Sequence, residues 1–269
     1  MPEGHIVHRL AYQYRQQLGE GKLRVSSPQG RFAESAKRLD DSSLTSTDAH
    51  GKQLFLGFGD EGYVRVHLGL YGKVTFGTAP TPEPVGAVRL RLESDRAYAD
   101  LRGPTACELI TAEEKDAFHA RLGPDPLRAD ADIEYAWRRI SKSKRAISDL
   151  LLDQKIVSGV GNVYRAEVLF RHGIDPHLEG RRLPRAVWDI VWADLVTLMR
   201  DGVRLGRIDT VYPEHTPSAM GREPRVDDHG GEVYVYRRGG QDCHVCAATV
   251  TTLKVNGRNL FWCPTCQKR

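Results

Sequence analysis

The sequence predicts an α+β protein in three parts: an N-terminal β-sandwich flanked by helices (residues 1–125), a helical helix–two-turn–helix domain (126–230) and a C-terminal zinc finger on a β-hairpin (231–269). Three patterns predict this class. Short β-rich runs separated by Gly, Pro and Asp turns fill residues 22–109. Helical periodicity dominates from residue 113, and two C-x-x-C pairs stand near the end.

The N-terminal part begins with a predicted amphipathic helix over residues 4–18. Apolar side chains recur there at three- and four-residue spacing, and Gly19 ends the run. Runs at 53–58, 63–68 and 88–92 have the composition of strands. Together these elements predict a β-sandwich or barrel behind the first helix.

The central part contains helices joined by turns. A linker is predicted at 122–127, and helices at 145–155, 163–172 and 184–205. Residues 207–232 hold Pro, Gly, Asp and His without periodicity, which predicts a mobile loop.

Charge is distributed unevenly although the net charge is only +4. Residues 1–230 balance at 33 basic and 33 acidic side chains, whereas residues 231–269 carry six basic and two acidic ones. This excess indicates either a polyanion contact or an ordinary basic tail. Because no apolar run approaches the roughly 18 residues of a membrane span, and the N-terminus is not a signal peptide, we expect no membrane partner and a cytoplasmic location.

Four of the five cysteines form two C-x-x-C pairs separated by 16 residues: Cys243, Cys246, Cys263 and Cys266. Two such knuckles can bring four thiolates together around one zinc ion. Disulfides would suit a secreted chain, and a redox pair would need a helix start. We therefore predict one structural zinc ion.

The segment Gly159 to Asn162 lies between two predicted helices. Its glycines permit close approach of a phosphate, and the following helix presents free N–H groups and a positive dipole end. Lys155 and other basic residues nearby favour a DNA phosphate site over a plain interhelical turn.

Pro2 becomes a terminal secondary amine if Met1 is removed. Such an amine can attack a sugar carbon and form a cationic imine, and Glu3 beside it could transfer protons at the same sugar. Taken alone, the sequence Met1-Pro2-Glu3 is also that of an ordinary N-terminus without a catalytic role.

Several motifs together resemble the formamidopyrimidine-DNA glycosylase/endonuclease VIII family, in the same order and over essentially the whole chain. They are residues 1–4, 50–52, 67–72, 122–127 and 151–164, the two knuckles, and residues 257–259. The resemblance implies a base-excision repair enzyme that flips a damaged nucleotide from duplex DNA, cleaves its glycosidic bond and nicks the strand by β,δ-elimination. It also implies double-stranded DNA carrying oxidised bases or abasic sites as the partner, and hence an enzyme associated with the nucleoid. A monomer is the simplest expectation for the oligomeric state.

The resemblance assigns roles to individual residues. Pro2 would be the nucleophile and Glu3 the acid that opens the sugar ring. Lys52 would assist the first elimination, and Arg258, held in place by the zinc finger, the second. Further DNA contacts would come from His67, Leu70, Tyr71, Arg121, Lys155 and Asn162. Without the resemblance, Lys52 and Arg121 would be interpreted as solvated surface charges. Leu70 and Tyr71 would be interpreted as core residues.

Within the family, three features favour the endonuclease VIII branch and oxidised pyrimidines: Gly4, the Leu70–Tyr71 pair, and residues 102–104 in place of Arg-Arg-Phe. Two departures, at His5 and Gly69, affect the choice of lesion more than the chemistry. One alternative is the same chemistry on oxidised purines such as 8-oxoguanine or formamidopyrimidines. Another is a catalytically silent DNA-binding paralogue, which retention of Met1 would favour.

Overall fold

The computed structural model describes residues 2–227 and 231–268, which fold as two compact units, 1–121 and 122–269. The second unit contains both the helical part and the cysteine-rich part. These two parts share one apolar core, to which Leu169 of the helices and Phe261 of the cysteine-rich part both contribute. The three-part boundaries inferred from the sequence therefore stay a prediction.

The described part of the first unit contains two antiparallel sheets and three α-helices. The elements are α1 (Gly4–Leu18), β1 (Lys22–Ser26), α2 (Ala33–Leu39), β2 (Ser42–Ser43), β3 (Ser46–His50), β4 (Gln53–Gly57), β5 (Tyr63–His67), β6 (Lys73–Thr78), β7 (Val88–Glu93), β8 (Ala97–Arg102), β9 (Ala106–Ile110) and α3 (Ala112–Arg121). One sheet has the order β2-β1-β7-β8-β6 and the other β3-β4-β5-β9. The predicted sandwich is confirmed.

The core of the first unit lies between α1 and the sheets. Val7, Leu10 and Tyr14 form the buried face of α1, as the helical spacing predicts, and Tyr14 meets Phe76 edge-on with ring centroids 5.0 Å apart. Opposite each other on β7 and β8, Arg91 and Asp100 form a buried ion pair of 2.6 Å. Because each charge has its partner, the pair is tolerated inside the sandwich.

The second unit contains five helices and one hairpin among its described residues. They are α4 (Ile133–Ile140), α5 (Ile147–Leu152), α6 (Asn162–Arg171), α7 (Arg185–Leu205), α8 (Pro217–Met220), β10 (Thr251–Val255) and β11 (Arg258–Trp262). In the part of the chain that the structure describes, no helix is long and apolar enough to cross a membrane.

Three expectations for the second unit differ from the structure. The helix predicted over 145–155 covers only Ile147–Leu152, because Ala146 and Asp153 have extended backbone. Helix α4 was not predicted. The segment predicted as a loop over 207–232 includes α8, and its described part is tied by ion pairs such as Arg222 to Glu232 at 2.6 Å; residues 228–230 lie outside the described residues.

A buried carboxylate connects α6 to the start of the cysteine-rich part. Glu167 has no solvent exposure and accepts four hydrogen bonds of 2.6–2.9 Å, from the Thr210 hydroxyl and from the backbone N–H groups of Tyr234, Val235 and Tyr236. Four donors satisfy the two oxygens of a carboxylate, so the charge is stabilised in the core.

Candidate active site and metal centre

Pro2 and Glu3 lie directly before α1. Pro2 is half-buried, whereas Glu3 is only 1% exposed and occupies the N-cap position with an extended backbone. The Glu3 carbonyl accepts a hydrogen bond from the Ile6 N–H at 3.1 Å, which fixes the entry into the helix. Met1 lies outside the described residues, so its predicted removal is not addressed by the structure.

Lys52 occupies a two-residue turn between β3 and β4. Gly51 has a φ of +58°, the left-handed conformation that such a turn requires and that glycine adopts without strain. The Lys52 carbonyl lies 3.0 Å from Nδ1 of His67, so the nitrogen donates and the imidazole carries its proton there. His67, predicted to contact DNA, thus also supports the Lys52 turn.

Leu70 and Tyr71 lie in the loop between β5 and β6. Their side chains are 60% and 86% exposed, so neither packs in the core as the sequence alone would suggest. The loop is closed by a hydrogen bond of 2.9 Å from the Gly72 N–H to the Leu68 carbonyl. Gly69 has a φ of +66°, and a Cβ there would come within 1.9 Å of the Thr105 hydroxyl. Two large apolar side chains are therefore presented to solvent on a closed loop.

Arg121 is the last residue of α3 and is exposed. Its guanidinium carbon lies 4.5 Å from the centre of the Phe118 ring, and its Nε donates to the Ala117 carbonyl at 3.1 Å. These contacts fix the Arg121 side chain through its Nε and the face of its guanidinium group. The Nη atoms of the guanidinium group can bind an anion.

The segment between α5 and α6 is held by one amide side chain, Gln154. Its Nε2 donates to the carbonyls of Leu152 and Val160 at 3.0 and 2.9 Å, and its Oε1 accepts from the Gly159 N–H at 3.0 Å. Sequence reasoning missed this residue, although a glutamine before a glycine-rich turn is a usable signal. Lys155 is exposed on the same turn.

Asn162 is the first residue of α6, and its amide nitrogen donates to the backbone carbonyl of Asn259 at 3.0 Å. Asn259 follows Arg258, which is exposed at the start of β11. The structure therefore brings together two predicted DNA-contacting positions, 162 and 258, that are far apart in the sequence.

The four cysteine sulfurs of the C-terminal pairs all lie within 4.8 Å of one another. The Cys243 and Cys266 sulfurs are 3.9 Å apart, and those of Cys246 and Cys263 are 3.4 Å apart. These distances exceed a disulfide bond of about 2.05 Å and match the roughly 3.8 Å between ligands of a tetrahedral site with Zn–S bonds of about 2.3 Å. Geometry and thiolate chemistry both fit zinc.

The side chain of Gln267 supports this cluster and was also missed. Its Oε1 accepts from the Cys263 N–H at 2.9 Å, and its Nε2 donates to the Ile174 carbonyl at 2.9 Å. The fifth cysteine, Cys107, is buried in β9. Burial chiefly raises the pKa of its thiol to about 12, as expected for a packed thiol rather than a nucleophile.

Comparison with known proteins identifies the family. The chain matches the formamidopyrimidine-DNA glycosylase N-terminal domain over residues 1–107, the formamidopyrimidine-DNA glycosylase H2TH domain over 122–212, and a zinc finger found in FPG and IleRS over 240–269. It is 48% identical to Endonuclease 8 1 of Mycobacterium tuberculosis and of Mycobacterium bovis, over 99% of this chain and 100% of each relative. The chain belongs to the formamidopyrimidine-DNA glycosylase/endonuclease VIII family.

More distant members of the family match as well. Formamidopyrimidine-DNA glycosylase of Parasynechococcus marenigrum is 36% identical over 55% of this chain and 51% of the relative. Among solved structures, a complex of the Lactococcus lactis Fpg protein with a THF-DNA and an inhibitor superimposes with a TM-score of 0.81 at 24% identity, covering 100% of both chains. A complex of the same protein with DNA containing an oxidised pyrimidine gives 0.80 at 22% identity, again over 100% of both chains. These structures establish the fold.

Family membership confirms three predictions made from the sequence: the resemblance itself, the α+β fold with its zinc finger, and the assignment to a class of DNA-repair glycosylases with lyase activity. The four-cysteine cluster agrees with zinc binding. The roles of individual residues stay predictions.

Proposed function

We propose that this protein is a bifunctional DNA glycosylase and abasic-site lyase that removes oxidised pyrimidines from duplex DNA. The observation that carries the proposal is the full-length likeness to Endonuclease 8 1, combined with a buried Glu3 next to Pro2 at the start of α1. The relatives in complex with lesion-containing DNA support duplex DNA as the partner.

In the proposed reaction, the Pro2 nitrogen attacks C1′ of the damaged nucleotide once Met1 has been removed. The glycosidic bond breaks, and the base leaves with the bonding electron pair and takes up the proton that the attacking amine loses. Glu3 delivers a proton to O4′ as the C1′–O4′ bond opens, which leaves a cationic imine between Pro2 and C1′. The buried position of Glu3 shields this transfer from bulk water.

The imine acidifies the neighbouring sugar protons. Loss of a C2′ proton expels the 3′ phosphate, and a second loss, from C4′, expels the 5′ phosphate. Water then hydrolyses the imine and releases the amine. Lys52 assists the first elimination and Arg258 the second, in each case through charge at the leaving phosphate.

The remaining predicted residues bind and deform the DNA. Arg121, Lys155 and Asn162 contact phosphates. Leu70 and Tyr71 enter the space left by the flipped nucleotide, for which two exposed apolar side chains on a closed loop are suited. The single zinc ion, held by the four cysteines, is structural and keeps the β10–β11 hairpin in place; the eliminations themselves use no metal.

The decisive experiment is borohydride trapping of the mature protein on a duplex with one abasic site, followed by mass spectrometry of the N-terminal peptide. A reduced adduct on Pro2 is expected. Absence of an adduct while DNA still binds would contradict the proposal and support the silent-paralogue alternative.

The preferred lesion needs a separate test. Duplexes that differ only in carrying 5-hydroxycytosine, thymine glycol or 8-oxoguanine are cleaved under single-turnover conditions. We expect faster cleavage of both pyrimidine lesions. Faster cleavage of 8-oxoguanine would overturn the lesion preference and leave the chemistry intact.

A further inference from the structure

The carbonyl of Asn259 is a backbone acceptor at the outer side of the β10–β11 hairpin. Val255 pairs with Arg258 across the two-residue turn, and Lys254 pairs with Asn259. In such a hairpin the pair next to the turn is hydrogen-bonded and the following pair is not, so the N–H and C=O of Asn259 point away from β10. This carbonyl is therefore available to a donor from outside the hairpin.

The first turn of α6 supplies two donors to it. Asn162 Nδ2 and Arg165 Nη2 each donate to the Asn259 carbonyl at 3.0 Å. The same Arg165 nitrogen also donates to Oδ1 of Asn162. Arg165 is 1% exposed, so these contacts form inside the unit, where each hydrogen bond is worth more than at the surface.

These contacts determine which way the Asn162 amide faces. Its oxygen accepts from Arg165, and one hydrogen of its Nδ2 is used by the Asn259 carbonyl. The second Nδ2 hydrogen is the polar group that the amide can still offer to an anion. Arg165 therefore makes Asn162 a donor.

These contacts lie at the N-terminus of α6, because Asn162 is the first residue of the helix and Arg165 the fourth. The free N–H groups and the positive end of the helix dipole at this position favour an anion such as a phosphate.

We propose that Arg165 is a positioning residue for the second elimination, which it serves by fixing both the Asn162 amide and the strand that carries Arg258. This inference rests on the proposed lyase function. Arg165 touches no reacting atom; it links the helix–two-turn–helix segment to the zinc-finger hairpin one residue beyond Arg258. A second, exposed contact, from Asn256 Nδ2 to Asp149 Oδ2 at 3.3 Å, supports the hairpin at its tip.

The test uses the full-length zinc-loaded protein in single-turnover reactions with a preformed abasic-site duplex, in which β- and δ-elimination products are resolved by their different 3′ ends. Arg165→Met keeps most of the side-chain volume and removes the charge and donors. We expect the ratio of δ to β product to fall about tenfold, as expected for the loss of charge-assisted hydrogen bonds. The yield of borohydride adduct at saturating enzyme should change little.

The matched control is Arg171→Met on the same helix. Arg171 pairs with Asp194 at 2.7 Å, away from the hairpin. This variant should lower the melting temperature without moving the product ratio. In a double-mutant cycle, Arg165→Met should have little further effect on the ratio in an Arg258→Ala background.

The outcomes separate the two proposals. If the unmodified protein forms no adduct, the proposed function fails. If it forms the adduct and Arg165→Met leaves the product ratio unchanged, the inference about Arg165 is overturned. If Arg165→Met does not fold or loses zinc, Arg165→Lys is tested instead, because lysine keeps the charge but lacks the planar guanidinium group. The ratio of δ to β product in Arg165→Lys then decides between the two outcomes.

Discussion

The two compact units position their proposed functional residues in different ways. In the first unit, Glu3, Lys52 and Tyr71 lie at the ends of elements or in turns around an apolar core. In the second unit, α6 itself carries buried polar side chains, Asn162, Arg165 and Glu167, that bond to the backbone of other segments. The proposed functional residues of the first unit are therefore positioned by local backbone conformation. Those of the second unit are positioned by hydrogen bonds between distant segments.

The energetic consequence is a difference in fragility. Turn residues with accessible side chains, such as Lys52 and Tyr71, can be replaced with little loss of stability, because their positions depend on the backbone. Buried polar contacts stabilise only when every partner is present, and removal of one leaves donors or charges without compensation. The buried polar side chains of α6 should therefore be more sensitive to single substitutions than Lys52 and Tyr71, which lie in turns of the first unit.

The largest expected effect follows loss of the metal from the second unit. Cys263→Ser removes one of the four thiolates, and we expect the protein to release zinc. The free energy of unfolding should fall by several kcal/mol, because the free energy of metal binding contributes directly to folding in such sites. Zinc content and calorimetry measure it, with Cys107→Ala in the first unit as the control. A zinc-free variant with unchanged unfolding and nicking would contradict the role given to the finger.

The next effect concerns the buried carboxylate of α6. Glu167→Gln turns an amide toward backbone N–H groups and should cost about 3 kcal/mol of unfolding free energy, measured by denaturant titration. The control is Glu134→Gln on α4, where an exposed ion pair with Arg185 is lost and no measurable change is expected. Equal effects of the two substitutions would remove the distinction between buried and exposed polar contacts.

A smaller, pH-dependent effect is expected in the first unit, at His5 of α1. Burial, with further contributions from Arg9 and His8, lowers the pKa of His5 from 6.5 to about 3. The unfolded chain therefore takes up a proton below pH 6.5 while the folded unit does not. Stability is then lost progressively as the pH falls from about 6.5 toward 3, by about 2 kcal/mol at pH 5.

The measurement for His5 is the unfolding free energy of the full chain as a function of pH. His5→Gln removes the titrating group, and the slope between pH 6.5 and 4 should become smaller. An identical slope in the variant would show that His5 is not the group responsible.

The smallest effect on stability is expected at the exposed loop between β5 and β6. Leu70→Ala and Tyr71→Ala should change the unfolding free energy by no more than about 0.5 kcal/mol. Cleavage of a lesion-containing duplex should fall roughly tenfold, because the unstacked site is no longer filled. Val85→Ala, at another exposed apolar position of the same unit, should change neither quantity, and cleavage unaffected in all three variants would contradict the wedge assignment.

The match between sequence and structure depends on how local each signal is. The boundaries of α1 were predicted because apolar spacing and Gly19 are local features. The four-cysteine cluster was predicted because two C-x-x-C pairs at this spacing are typical of a zinc site. Helix α4 was missed despite its apolar positions at Ile133 and Ile140, since a helix of eight residues gives too short a periodic signal.

The sequence by itself predicted the sandwich and the four clustered cysteines, because these depend on residue type and short-range spacing. Its motifs also identified the family, and the resemblance supplied the residues proposed for chemistry. Only the tertiary structure decided that Leu70 and Tyr71 are exposed, and that Arg165 and Glu167 hold the second unit together. The physical reason, for Arg165 and Glu167, is that most of their hydrogen-bond partners are backbone groups. Every residue carries the same N–H and C=O, so no pattern in the sequence indicates which of them a distant side chain will bind.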